Sequence, residues 1–222
     1  MPFRNPVEAV IFDMDGLLLD TERIYKIVLH RACMALDYEM TDALFHSLIG
    51  VPGPAGYELI RAYFGDAFPL DDYKRNIAEI AAELLADGIP LKAGAGEILR
   101  DLNARGLPIA LATSSSRVVA ERHLTLAGVR DHFEIVFTGD DVVNGKPHPD
   151  IFIKAANALA MPAGRCVVLE DSHNGIRAAH AAGAMPIMVP DIVAPTDDIR
   201  AKCVAIVSDL HEARSLLSRA TA

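Results

Sequence analysis

Apolar residues in this chain cluster in short, nearly continuous runs separated by longer stretches of helical periodicity. The first run spans residues 7–12 and is interrupted only by Glu8; others cover residues 107–112, 133–137, 166–169 and 186–189, with 204–207 a sixth candidate. Short apolar runs without polar alternation are the pattern of strands covered on both faces, as in a parallel sheet. Helical stretches lie between them: residues 117–127 stop at Gly128, residues 150–160 end before Pro162, and residues 176–182 stop at Gly183. Glycine ends a helix because it accepts the left-handed backbone that caps one, and proline because it cannot continue one. This rhythm predicts an α/β fold, an open Rossmann-like and mostly parallel sheet flanked by helices.

One segment departs from the rhythm. From residue 20 to about residue 90 the pattern is helical throughout, with Ile24, Ile27, Val28 and Ala32 on one stripe and Ile77, Ile80, Ala81, Leu84 and Leu85 on another. Breaks at Gly50-Val51-Pro52-Gly53-Pro54 and at Phe68-Pro69 divide it into roughly four helices. The expected organisation is therefore a Rossmann-like core of residues 1–19 and 91–222 with an all-helical insert, residues 20–90.

Composition narrows the functional classes. With 222 residues, 51% of them hydrophobic and 23% charged, the chain can bury a substantial core and is not a disordered protein. Its formal charge of −9 argues against nucleic-acid or anionic-membrane partners held by bulk electrostatics, so an anionic substrate must meet a locally positive site. Cys33, Cys166 and Cys203 are widely spaced and form neither a disulfide framework nor a zinc motif. The single short apolar run near the N-terminus reads as neither a signal peptide nor a membrane span, which makes the cytoplasm the expected compartment.

Chemistry concentrates where strands end. Asp13 and Asp15 follow the first strand, at the strand carboxyl edge where open α/β sheets bind ligands, although Asp15-Gly16 also reads as a turn. Glu170 and Asp171 follow the strand at residues 166–169 and would emerge at the same edge; Asp171 or Ser172 also suits a helix cap, which leaves Glu170 unexplained. A hard divalent cation with oxygen ligands, Mg²⁺ by availability, keeps such a carboxylate cluster ionised. Thr113, Ser114 and Ser115 close the second strand ahead of a helix and offer hydroxyl and N–H groups to an anion, or serve as ordinary caps. Lys146, between Gly145 and Pro147, is the one lysine held in a loop after the third strand; a solvated surface lysine is the alternative. Gly139 to Lys146 is not a P-loop, because five residues separate the glycines and Pro147 replaces the hydroxyl residue. His148 and His173 flank the expected site.

Asp13-Met14-Asp15-Gly16, Thr113, Lys146-Pro147 and Glu170-Asp171, in this order and across nearly the whole chain, resemble the haloacid dehalogenase superfamily of phosphotransferases. Asp20-Thr21-Glu22 and the run from Glu170 through Ile176 to Gly183 look like its helical-cap, β-phosphoglucomutase-like subfamily. The resemblance implies Asp13 as nucleophile forming an aspartyl-phosphate, and Asp15 as the general acid and then base. It implies Thr113 and the N–H of Ser114 as holders of phosphoryl oxygens and Lys146 as their counter-charge. Mg²⁺ would take a carboxylate oxygen of Asp13, the backbone carbonyl of Asp15, Asp171, and Glu170 directly or through water. Four acids against one lysine need such a cation before a phosphate can enter.

The helical insert would then be the cap, hinged at Asp20-Thr21 and near Leu91, closing over the leaving group and setting substrate choice. Related sugar phosphomutases carry a His where Tyr25 aligns and an Arg where this chain has Gly53. Gly53 cannot clamp a second phosphate. The expectation is a Mg²⁺-dependent phosphatase of a small phosphorylated metabolite, a sugar or polyol phosphate, working as a monomer or weak homodimer. A β-phosphoglucomutase-like mutase is the first alternative and a non-catalytic binding module on the same fold the second.

Overall fold

The computed structural model describes residues 3–49, 51 and 53–220; Gly50 and Pro52, part of the break expected at residues 50–54, lie outside the described residues. Six strands form one sheet: β1 (Ala9–Phe12), β2 (Ile109–Ala112), β3 (Ile135–Phe137), β4 (Cys166–Glu170), β5 (Met185–Met188) and β6 (Ala205–Ile206). Their order is β3-β2-β1-β4-β5-β6 and every pairing is parallel, so the predicted sheet is present in purely parallel form. Phe12 pairs with Leu111 on one side and Leu169 on the other, which aligns the ends of β1, β2 and β4. The strand order reverses at β1, and the crevice between β1 and β4 at their carboxyl ends is where such a sheet opens a ligand site.

Strand alternation sorts β1 between two layers. Val10 and Phe12 enter the cluster that contains Ile98, Leu99, Leu124, Leu210 and Leu217, whereas Ala9 and Ile11 enter the one with Ile151, Phe152, Ala155 and Ala179. The first layer holds α5 (Ala95–Ala104), α6 (Arg117–Leu126) and α10 (Leu210–Ala220); the second holds α7 (Asp150–Ala158) and α8 (His173–Ala181). A short α9 (Asp197–Lys202) sends Ile199 onto Met188 and Ile176. With each face covered, every residue of β1 is fully buried. Each large side chain so buried stabilises the fold by about 1.5–3 kcal/mol.

Four helices separate β1 from α5: α1 (Thr21–Met34), α2 (Asp42–Leu48), α3 (Gly53–Phe64) and α4 (Leu70–Leu84). They have a cluster of their own around Cys33, Phe45, Ile60, Phe68 and Tyr73, while Val28, Ala81 and Leu85 join the sheet layer. The two chain segments at their root are tied together, Asp20 N donating to Pro90 O at 2.9 Å and Lys92 N to Leu18 O at 2.9 Å. No helix among the described residues is long and apolar enough to cross a membrane.

Strand boundaries differ from the sequence expectation by one or two residues, and α5, α9 and α10 are additional. The segment entering α5 turns at Gly94, whose φ of 86° is open to glycine and closed to most other residues.

Candidate active site

Asp13 is the residue after β1, and its N–H donates to Leu169 O at 3.0 Å, which fixes its backbone against the end of β4. Its carboxylate meets Lys146, which arrives from the loop after β3 through a cis Lys146–Pro147 bond. Lys146 Nζ donates to Asp13 Oδ1 at 2.5 Å, Glu170 Oε1 at 2.6 Å and the Ala112 carbonyl at 3.0 Å. All three ammonium hydrogens are thus engaged. The side chain is 3% exposed and lies 4.9 Å from the centre of the Phe152 ring. It is a buried ammonium, not the solvated lysine of the alternative reading.

Glu170 ends β4 and is fully buried. Its second oxygen, Oε2, accepts from Ser172 N at 2.8 Å and Ser172 Oγ at 2.9 Å, while Ser172 Oγ in turn accepts from Gly175 N at 3.0 Å. The capping alternative therefore holds for Ser172 and coexists with the acid cluster. Gly175 is required here, because a Cβ on it would lie inside the Glu170 carboxylate. Gly16, at φ 81°, is required for a matching reason: its Cβ would collide with Asp171 Oδ2.

Oxygens of Asp13, Glu170 and Asp171 lie within 4.8 Å of one another, and all three residues are buried. Burial pushes Asp13 up to about 8, with Lys146 opposing and Glu170 and Asp15 adding to the rise. Asp171 is driven well above the usual carboxylate range by burial, then by Glu170, Asp13 and Glu22. One ammonium does not balance three carboxylates in a dry site. A hard divalent cation fits this all-oxygen donor set, and Asp13 and Asp171 are its most available ligands because both Glu170 oxygens already accept hydrogen bonds.

Asp15 stands beside this cluster, a quarter exposed. Thr21 Oγ1 donates to its Oδ1 at 2.9 Å and Ser115 Oγ to its Oδ2 at 2.8 Å. Burial alone would raise Asp15, but His123, Ser115 and Thr21 outweigh it and hold the carboxyl below its ordinary value. Thr113 is buried, and its hydroxyl accepts from Ser115 N at 3.1 Å, so its own hydrogen remains for donation. Ser114 is adjacent, in the turn between β2 and α6. Asp13, Asp15, Thr113, Lys146, Glu170 and Asp171 thus lie at the ends of β1, β2 and β4 or on the loops beside them. The two flanking histidines contribute less: His148 is exposed, and the ring of His173 is bonded to Ala194 O at 2.9 Å.

Three participants escaped the sequence reading. Ser115 was one hydroxyl in a run, and only the fold selects it for Asp15. His123 lies on α6 with Nδ1 3.5 Å from Asp15 Oδ1, a proximity no spacing rule encodes. Glu22, on the first turn of α1, crowds the Gly16 α-carbon together with Asp171, and burial together with Asp15 and Asp191 pushes it up to about 7 against Lys92.

Known proteins share this arrangement of chain. Residues 10–189 match the family model described as haloacid dehalogenase-like hydrolase. A phosphorylated carbohydrates phosphatase of Thermotoga maritima is 31% identical over 177 residues, covering 80% of this chain and 82% of that protein. A Drosophila melanogaster protein named as a probable pseudouridine-5'-phosphatase is 34% identical over 191 residues, covering 83% and 82%. The crystal structure of CbbY from Rhodobacter sphaeroides in complex with phosphate superposes with a TM-score of 0.79 at 29% identity, covering 93% of this chain and 96% of that one. A match over most of the length, together with the parallel sheet and the acids at its carboxyl edge, makes the chain a member of the haloacid dehalogenase-like hydrolases.

Proposed function

We propose that the protein is a Mg²⁺-dependent phosphatase that hydrolyses a small phosphorylated metabolite, a sugar or polyol phosphate, through an aspartyl-phosphate. The observation that carries this reading is the buried Lys146 bridging Asp13 and Glu170 beneath a three-carboxylate cluster at the strand edge. Such a site rejects an anion until a cation fills it, and it then offers one carboxylate oxygen as nucleophile. The relatives named for a carbohydrate phosphatase and a pseudouridine-5'-phosphatase support the sugar-phosphate class.

In this mechanism a carboxylate oxygen of Asp13 attacks phosphorus, the bond to the leaving oxygen breaks, and Asp15, ionised in the free enzyme and protonated once the substrate's negative charge is bound beside it, delivers that proton to the leaving oxygen. Asp15, now ionised, takes a proton from the water that attacks the aspartyl-phosphate, which releases phosphate and restores Asp13. Lys146 neutralises Asp13 and the transferring group, with Glu170 holding the ammonium in place. Thr113 and the N–H of Ser114 take phosphoryl oxygens. Asp13, Asp171 and the Asp15 backbone carbonyl, with Glu170 behind them, would hold Mg²⁺, which would supply positive charge for the phosphoryl oxygens. Residues 20–90 act as the cap, pivoting where residues 18–20 pair with 90–92.

Gly53, at the start of α3, has no side chain to hold a second phosphate, which disfavours the mutase alternative. A phosphate-release screen over sugar, polyol and short-chain acid phosphates, with and without Mg²⁺, tests the proposal. Stoichiometric phosphate release that requires Mg²⁺ is expected; interconversion of hexose phosphates without free phosphate would overturn it.

A further inference from the structure

His123 is 3% exposed and sits on α6 between two polar groups from different parts of the chain. Nδ1 faces Asp15 Oδ1 at 3.5 Å, and Nε2 faces the hydroxyl of Tyr25, on α1, at 3.4 Å. The Tyr25 and His123 rings are 5.9 Å apart and tilted by 52°. Nδ1 has no hydrogen-bond partner of its own among the described residues. Leaving a buried polar atom unsatisfied costs about 1–3 kcal/mol, a cost that leucine at this position would avoid. The neighbours Ala120 and Leu124 on the same helix do pack as plain apolar residues.

A carboxylate can only accept, so the ring nitrogen that faces Asp15 is the donor, which in the neutral imidazole leaves the one that faces Tyr25 to accept the phenol hydrogen. Both contacts are a few tenths of an ångström long for hydrogen bonds, the usual state of a catalytic contact before substrate tightens it. Thr21 and Ser115 hold the Asp15 carboxylate from the other directions.

We propose that His123 is a positioning residue for Asp15: its imidazole, wedged between the Asp15 carboxylate and the Tyr25 hydroxyl, aims the acid–base side chain at the leaving oxygen and couples that aim to helix α1. The inference rests on the reading of Asp15 as the general acid. In kcat/KM, which reports the step that expels the leaving group, a misaimed acid harms chiefly those substrates whose leaving group needs a proton. This separates positioning from a merely structural role.

The experiment measures kcat/KM of the Mg²⁺-loaded enzyme on phenyl, 4-nitrophenyl and 2,4-dinitrophenyl phosphate, whose leaving phenoxides are progressively less basic. His123→Leu is expected to lose about 30-fold on phenyl phosphate and less than about 3-fold on the dinitrophenyl ester, a loss smaller than the roughly 10²–10⁴ that general acid catalysis contributes because Asp15 itself is retained. His123→Gln, which keeps an N–H in reach of Asp15, should recover most of the loss on phenyl phosphate. Asp15→Asn run in parallel should give a still steeper dependence. A uniform loss across the three esters in His123→Leu, with a steep series in Asp15→Asn, overturns the inference alone. A flat series in Asp15→Asn overturns the assignment of Asp15 and the inference with it.

Discussion

The carboxylate of Glu170 occupies the volume that a side chain on Gly175 would need. Gly175 lies on the first turn of α8, which Ser172 caps by accepting from the Gly175 N–H, while the backbone N–H and hydroxyl of Ser172 donate to Glu170 Oε2. A single methyl group would push the Glu170 carboxylate away from Lys146. Gly175→Ala should therefore destabilise the protein by about 1–3 kcal/mol, the usual cost of overpacking, and reduce turnover as well. Thermal unfolding and phosphate release measure the two effects; a fully active, equally stable variant would show that Glu170 does not organise the site.

Replacing the nucleophile and replacing its counter-charge should look different. Asp13→Asn removes the oxygen proposed to attack phosphorus and should lower turnover by a factor on the order of 10⁴ or more while the chain stays folded. Lys146→Met leaves Asp13 and Glu170 buried without their shared ammonium, and breaking a buried ion pair typically costs about 3–5 kcal/mol. Its melting temperature should fall well below that of Asp13→Asn. Phosphate-release assays and melting curves of the two variants, compared side by side, decide the matter.

Metal and pH are linked through Asp13 and Asp171. Both carboxyl groups titrate above their unfolded values, Asp13 from 3.8 up to about 8, so the metal-free native state binds more protons than the unfolded chain across that interval. Stability then falls as pH rises through the interval. Melting temperatures measured in a chelator should decline between about pH 5 and 8. Added Mg²⁺ should raise them, by mass action, most at the upper end. An apo protein equally stable at both ends would contradict the charge balance described for the cluster.

Ser115→Ala removes the donor on Asp15 Oδ2 and leaves Thr21 on Oδ1. The loss of one hydrogen bond to a partly exposed carboxylate should cost about 1–2 kcal/mol in stability or less. Its kinetic effect should follow leaving-group basicity as described for His123. The phenyl ester series checks it.

Much of the site was legible because strands announce their ends. Asp13 and Glu170 each follow an apolar run, and parallel strands bring such residues to one edge whatever the intervening chain does. Lys146 was legible only through its flanking Gly145 and Pro147; that it bridges Asp13 and Glu170 depends on a loop trajectory that no periodicity encodes. His123 and Ser115 were hidden for a different reason. They face Asp15 through the rotational phase of α6 and the height at which it begins, both set by packing of Ala120 and Leu124 on the sheet. Helix α5 went unread, although Ile98, Leu99 and Leu102 carry a clear apolar stripe.

Lys146 lies 133 positions beyond Asp13 along the polypeptide and only 24 before Glu170. As a ribosome extends the chain, Asp13 emerges long before the ammonium that matches it, and β4, which completes the crevice, comes later still. A nascent chain halted between residues 13 and 146 carries the Asp13 carboxylate without its ion-pair partner. Catalytic competence is therefore a property the growing polypeptide acquires late and all at once, when the strand beside β1 on its second flank docks.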